Sequence, residues 1–229
     1  MIYYGMYLLR NCGNMNKTPN YKELIKDMIS KHYNVRDEFK KNTPEQNRLY
    51  CEIDSLPFGI GIYNVLGDLN IGIMIRTASL TGAREVALFG RKKYDQRSTV
   101  GAEKYIQVEH VPVECFANFR ESPIWRTYYP IFVETFGVPI AAEKWDYIAP
   151  YSWPVPEGRR MPMFVFGSES EGFGDEFTKT IKEYGYTTIS VPQRGVLRSF
   201  NVSSAMSIIS YEYSQYLESQ IKLRDSGYP

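Results

Sequence analysis

From residue 58 onward, short apolar runs rich in β-branched and aromatic residues alternate with segments of helical period, and this alternation constrains the fold most. FGIGIYNV (58–65), VALF (86–89), PIFVET (130–135), MFVF (163–166) and TTISV (187–191) read as strands buried on both sides. Helices are predicted from about Asn70 to Thr81 with Gly82 as the stop, over about 175–184, and from near Ser199 through Tyr216. Strands of this kind separated by helices specify an α/β fold: a mainly parallel sheet with helices on both faces. The Pro- and Trp-containing stretch 137–160 reads as a long surface loop or irregular excursion.

The first fifty-odd residues read as helical. Thr18-Pro19 and Thr43-Pro44 each set a hydroxyl cap before a proline at the first helical position, and Gln46 adds a capping box to the second. Leu56-Pro57 marks the expected boundary between an N-terminal helical extension, 1–55, and the main domain, 56–229. A chain of 229 residues suits one such domain with a small appendage, and a hydrophobic fraction of 43% supplies a core, so wholesale disorder is excluded.

The net charge is +1, from 27 Lys and Arg against 26 Asp and Glu, which excludes a protein coated in positive charge. The balance is uneven: residues 1–110 hold 16 basic and 12 acidic groups, the remainder 11 and 14. The densest basic run is Arg91, Lys92, Lys93 and Arg97, expected on a loop after a strand. Three separated cysteines, Cys12, Cys51 and Cys115, disfavour a disulfide framework or a zinc site and fit a reducing, cytoplasmic setting. The N-terminus MIYYGMYLLR lacks the basic start of a signal peptide, and no run approaches the ~20 apolar residues of a membrane span.

Three segments place glycine and polar residues at strand ends, where open α/β sheets bind ligands. In the first, Asn70-Ile71-Gly72-Ile73-Met74-Ile75-Arg76, Gly72 lies one turn before Arg76 on the same helical face. Either it clears space for a phosphate or ribose beside the guanidinium, or it lets the helix pack closely. The second, Gly167-Ser168-Glu169-Ser170-Glu171-Gly172, follows a buried strand and lacks the Gly-Lys-Ser/Thr ending of a P-loop. It reads either as a loop bringing backbone N–H groups to a ligand that is neutral or cationic there, or as a surface turn with solvated acids. The third runs Ile189-Ser190-Val191-Pro192-Gln193-Arg194-Gly195-Val196-Leu197-Arg198-Ser199-Phe200-Asn201-Val202-Ser203. In it Ser199 is either a plain N-cap or part of an anion site at the helix start.

In this order the three segments resemble the TrmH/SpoU family of SPOUT-class RNA ribose 2′-O-methyltransferases. Its motifs N-x-G-x-x-x-R, G-x-E-x-x-G and I-x-I-P-x-x-G-x-x-x-S-L-N-V-S stand here as NIGIMIR, GSESEG and ISVPQRGVLRSFNVS. The likeness covers about residues 58–217. Phe200 replaces the usual leucine, and Gln193 stands where bacterial members often have methionine; the Pro-Gln-x-Gly-x-x-Arg-Ser form looks more like eukaryote-type tRNA guanosine methyltransferases.

The resemblance implies a C-terminal trefoil knot, against the rule that chains do not knot. It implies a homodimer, an RNA substrate (tRNA, with rRNA as the alternative), no metal and S-adenosylmethionine as cofactor. Gly167, Gly172, Val191, Leu197 and Phe200 would hold the cofactor. Arg76, Asn70, Glu169, Ser199 and Asn201 would form the catalytic set, with one subunit's Arg76 facing the other's cofactor. The family proposal makes this arginine the base, but a guanidinium pKa of about 12.5–13.8 makes a clamp on phosphate and developing alkoxide the better reading. Arg91, Lys92, Lys93 and Arg97 would contact RNA phosphates. A nicotinamide oxidoreductase would need G-x-G-x-x-G and a serine hydrolase G-x-S-x-G; neither is present. The remaining rival is an RNA-binding protein of the same fold without activity.

Overall fold

The computed structural model describes residues 34–64, 69–112, 122–141, 145–150 and 160–226. The Thr18-Pro19 helix start, Cys12 and Cys115 lie outside the described residues. The chain divides into two units, Met1–Lys41 and Asn42–Pro229. In the first, the described residues hold a 3-10 turn, Asp37–Phe39, with the Arg36 guanidinium 4.8 Å from the centre of the Phe39 ring.

The second unit opens with helix α1 (Pro44–Ile53). Its capping box is formed: Gln46 N–H donates to Thr43 Oγ1 at 3.2 Å and Thr43 N–H to Gln46 Oε1 at 2.8 Å, so two otherwise orphaned donors are satisfied. Six strands follow: β1 (Leu56–Asn64), β2 (Ala83–Gly90), β3 (Gln107–Val111), β4 (Tyr128–Pro139), β5 (Met161–Phe166) and β6 (Thr188–Ser190). They form one sheet in the order β3-β2-β1-β5-β4-β6, and every pairing is parallel. The other helices are α2 (Leu69–Leu80), α3 (Ile124–Thr127), α4 (Trp145–Ile148), α5 (Asp175–Glu183) and α6 (Val202–Asp225).

Alternation along the strands splits the apolar residues between two cores, as a sheet covered on both faces requires. Phe58, Ile60 and Ile62 of β1 and Phe164 and Phe166 of β5 pack with Met74 and Ile75 of α2 and Met206, Ile209 and Tyr213 of α6. On the opposite face Met163 and Val165 of β5 join Phe89, Phe132, Phe173 and Ile181. The α/β expectation with a parallel sheet therefore holds. Gly82, at φ +76, ends α2 as expected, since a residue with a Cβ is strained there.

Three expectations are corrected. Strand β3 was not anticipated: QVEHV is mostly polar and exposed, and pairs through its backbone with β2 at the sheet edge. The stretch 137–160 is not one surface loop. Strand β4 continues through Pro139, and Trp145 and Ala149 are buried in the first core, with Tyr213 Oη donating to the Ala149 carbonyl at 3.0 Å. Residues 142–144 and 151–159 lie outside the described residues. Helix α6 starts at Val202, not near Ser199, and runs on to Asp225. Asn201, not Ser199, is its N-cap, because the Asn201 carboxamide oxygen reaches the Ser203 N–H at 2.9 Å.

Candidate functional site

All six strands run in one direction, so the segments that leave their carboxyl ends share one edge of the sheet. At the centre, β1 leads towards β2 while its neighbour β5 leads towards β6 on the opposite side. Adjacent strands whose connections part in this way leave a crevice between the departing loops, the usual place for a ligand in such sheets.

Asn70 stands in the first turn of α2, after β1; Glu169 in the loop after β5; Asn201 at the cap of α6, after β6. The fold brings these three together. Asn201 Nδ2 donates to Glu169 Oε1 at 3.0 Å and to Asn70 Oδ1 at 3.2 Å, and Asn70 Nδ2 donates to Glu169 Oε2. Both carboxylate oxygens of Glu169 are thus held by amide donors from two other segments. Asn201 divides its amide: the nitrogen serves this cluster, while the oxygen caps α6 and also accepts from Ser203 Oγ at 2.6 Å.

The GSESEG loop closes on itself. Ser168 N–H donates to the Gly172 carbonyl at 2.8 Å and Gly172 N–H to the Ser168 carbonyl at 2.9 Å. Glu169 at its tip is therefore neither a loosely solvated acid nor a free carboxylate. Beside the loop lies a cleft of about 780 Å³, lined by residues 133–136, the GSESEG loop and the segment before α6. Gly167, Gly172, Val191 and Phe200 line it, as do Glu169, Ser199 and Asn201. Leu197 does not; its side chain is 80% exposed. The loop carrying it is closed by Gln193 Nε2 donating to the Arg198 carbonyl at 3.0 Å.

Arg76 is exposed on α2, six residues and so about 9 Å along the axis from Asn70. It is not part of the cleft lining, and among the described residues no hydrogen bond or ion pair engages its side chain. Gly72 does not open ligand space. A Cβ there would stand 1.9 Å from Ser98 Oγ and 2.9 Å from the Asp95 carbonyl, so its role is close packing of α2 on the 3-10 turn Gln96–Thr99. That turn ends the basic segment. Arg91, Lys92, Lys93 and Arg97 are all exposed on the loop after β2, at the same edge of the sheet as the cleft. Arg97 is bound by Asp95, its Nη2 donating to Oδ2 at 2.6 Å, and this contact lowers the Asp95 pKa while raising that of Arg97.

The cleft also holds residues that sequence periodicity did not single out. Val133 and Val138 of β4 both register with Ile189 of β6, so the residues between them leave the ladder as a wide bulge. The bulge turns Glu134, Thr135 and Phe136 into the cleft. It is pinned at Gly137, where a Cβ would lie 2.4–2.6 Å from the Ile189 backbone, and Ser190 Oγ donates to the Gly137 carbonyl at 2.9 Å. The glycine in an otherwise apolar strand was the available signal. Burial pushes the Glu134 carboxyl pKa up, opposed by the N–H groups of Thr135 and Phe173 and by the charges of Arg198 and Lys182. Among the described residues no group of histidine, cysteine and carboxylate side chains is arranged to hold a metal, and no helix is long and apolar enough to cross a membrane.

Comparison with known proteins agrees with this fold. YacO of Bacillus subtilis (strain 168), a TrmH family tRNA/rRNA methyltransferase by name, is 23% identical over 213 residues, covering 90% of this chain and 75% of its own. The crystal structure of the A. aeolicus TrmH/SpoU tRNA modifying enzyme superposes with a TM-score of 0.56 at 20% identity, covering 77% of this chain and 83% of the other. The SpoU methyltransferase AviRb from Streptomyces viridochromogenes, solved with AdoMet, gives 0.51 at 20% identity over 73% and 58% of the two chains. These likenesses establish the fold. The model of the SpoU rRNA Methylase family matches residues 57–211, a span that contains all three converging motifs and the sheet but for its first residue, Leu56. With two thirds of its length and its entire polar cluster inside that match, the chain belongs to the SpoU rRNA Methylase family, a family of RNA methyltransferases.

Proposed function

We propose that this chain is an S-adenosylmethionine-dependent RNA ribose 2′-O-methyltransferase acting on tRNA, with guanosine as the target nucleoside. The observation that carries the reading is the meeting of Asn70, Glu169 and Asn201, one from each motif, at the cleft beside the GSESEG loop. The cleft suits the cofactor chemically. Val191, Val202 and Phe200 offer an apolar wall for an adenine ring, and Glu171 and Asp175 offer carboxylates to the ammonium of the zwitterionic amino-acid end. Bound there, S-adenosylmethionine supplies a methyl group activated on a sulfonium centre.

The chain's own residues orient the acceptor and manage charge. Proximity does much of the work, because the 2′-hydroxyl must be held in line with the methyl carbon. Arg76, whose side chain has no hydrogen bond or ion pair among the described residues, clamps the phosphate next to the target ribose and stabilises the alkoxide as it develops, while the proton leaves to phosphate or water. Glu169, Ser199 and Asn201 position the ribose from the cleft, and Asn70 fixes Glu169. Because Arg76 stands outside the lining of its own cleft, we assign it to the cleft of a second subunit in a homodimer. The loop bearing Arg91, Lys92, Lys93 and Arg97 meets the RNA backbone, and the protein works in the cytoplasm. A knotted path for the segment leading into α6 belongs to the same proposal.

Transfer of tritium from labelled S-adenosylmethionine into purified tRNA and rRNA, followed by mapping of 2′-O-methyl positions, tests the reading. We expect a single guanosine ribose in tRNA, with Arg76→Ala abolishing transfer and Arg76→Lys leaving little. Methylation confined to rRNA would move the substrate. Cofactor binding with no transfer to either RNA would make the chain a binding protein. An active Arg76→Lys with a shifted pH profile would restore the base role.

A further inference from the structure

The β4 bulge gives the cleft an acid that neither the motifs nor the mechanism uses. The Glu134 carboxylate is half-buried, accepts the Thr135 N–H at 3.3 Å, and lies against the GSESEG loop: a Cβ on Gly172 would stand 2.6 Å from its Oε1. The bulge is a built feature, since Gly137 and Ser190 lock it against β6. Its effect is to direct a strand carboxylate into the cleft, beside the other charged groups of the lining.

The other charges around that space sharpen its preference. Glu171 and Asp175 line the cleft from the loop and from α5, Arg198 lines it from the segment before α6, and Lys182 of α5 acts on Glu134 from outside the lining. The carboxylate of Glu169 is already engaged by the Asn70 and Asn201 amides. Setting Glu169 aside, three carboxylates among the described residues of the lining face one guanidinium, so the cleft favours a ligand with net positive charge over a neutral one of the same shape.

Resting on the function proposed above, we infer that Glu134 is a specificity-determining residue whose carboxylate makes the cleft prefer the sulfonium cofactor to its neutral thioether product. Loss of the methyl removes one unit of positive charge from the bound molecule and leaves its shape almost unchanged. A fixed carboxylate therefore weakens its hold on the product relative to the cofactor, which favours exchange after each transfer.

Calorimetry on the full chain with S-adenosylmethionine, S-adenosylhomocysteine and sinefungin, an analogue bearing an amine in place of the methylsulfonium, tests this. In Glu134→Gln the preference for the two cationic ligands over S-adenosylhomocysteine should fall roughly fivefold, the effect of one charge a few ångströms away in a half-open cleft, while S-adenosylhomocysteine affinity stays within about twofold. Arg198→Gln should move the ratio the other way, which keeps the inference open to test if Glu134→Gln fails to fold. Equal weakening of all three ligands in Glu134→Gln would reveal an uncharged hydrogen-bonding role and overturn the inference, as would an unchanged ratio. If the wild-type chain binds none of the three, the cofactor reading itself falls; if it binds them all and only the ratios stay fixed, that reading stands and this one alone is lost.

Discussion

The two ends of the sheet treat their polar groups in opposite ways. At the carboxyl end Glu169 and Asn201 are exposed, yet each is held by partners from other motifs. Towards the amino end, Glu85 of β2 and Tyr128 of β4 bury Oε1 and Oη beside each other, with no partner from another motif among the described residues. Burial pushes the Glu85 carboxyl up to about 7, reinforced by the charge of Glu109 and opposed by Arg84 and by the Tyr128 hydroxyl. Satisfied polar groups open to solvent add little to stability but fix geometry, whereas an acid buried beside a single phenol burdens the fold and shapes no cleft. Substitutions at one end should therefore change the reaction and leave the melting temperature, and substitutions at the other should do the reverse.

The largest expected effect lies at the carboxyl end. Glu169→Gln replaces a carboxylate holding two amides with a group that can accept on only one oxygen. Methyl transfer should fall roughly 100-fold while stability stays within about 0.5 kcal/mol. Asn201→Asp keeps the helix cap but sets a second carboxylate against Glu169, and should match that loss. Parallel tritium-transfer assays and thermal melts check both; a drop in melting temperature proportional to the lost activity would erase the contrast.

Gly72→Ala should blur the contrast, because it lies near the site yet acts through packing. Its Cβ meets Ser98 and the Asp95 backbone, so we expect a loss of about 1–3 kcal/mol together with weaker RNA binding by the displaced basic loop. Denaturant titration and filter binding at two salt concentrations read the two effects separately. Intact RNA affinity at reduced stability would remove the loop from the RNA surface.

The smallest expected effect is Glu85→Gln. A carboxyl raised from 4.5 to about 7 by folding leaves stability fully present below the lower value, and that stability is lost as pH rises through the higher one. The glutamine variant should therefore melt higher than wild type at pH 8 and equally at pH 4, by on the order of 1–2 kcal/mol once solvent screening is allowed for. Activity should not change. Calorimetric scans across this range would show the slope between pH 5 and 7 disappear in the variant.

Much of this arrangement was legible in the sequence, for identifiable reasons. FGIGIYN and MFVF are long enough in apolar residues to announce buried strands, and Thr43-Pro44 with Gln46 specified its capping box to the atom. The segments carrying Asn70, Glu169 and Asn201 stood out because they set glycine and polar residues at strand ends, and the family resemblance pointed to these three within them. What stayed hidden depends on pairing across the sheet. QVEHV has the composition of a loop and becomes a strand only beside β2. The β4 bulge exists only through its register with Ile189, so Glu134 looked like an ordinary strand end. The role of Gly72 needed the 95–98 turn as its neighbour, and the helix start moved from Ser199 to Asn201 because a side-chain contact, not composition, decides a cap.

The divided amide of Asn201 also bears on the order in which the molecule can assemble. Its partner Asn70 is 131 residues away along the chain, and Glu169 is 99 from Asn70. Contacts of such span are slow to close, because the entropy of the intervening chain must be overcome before they return any stability. The cluster can form only after the segment carrying Asn201 has docked, and the same docking starts α6. Refolding followed by helix signal and by cofactor binding together should thus show the cleft becoming competent in the final phase.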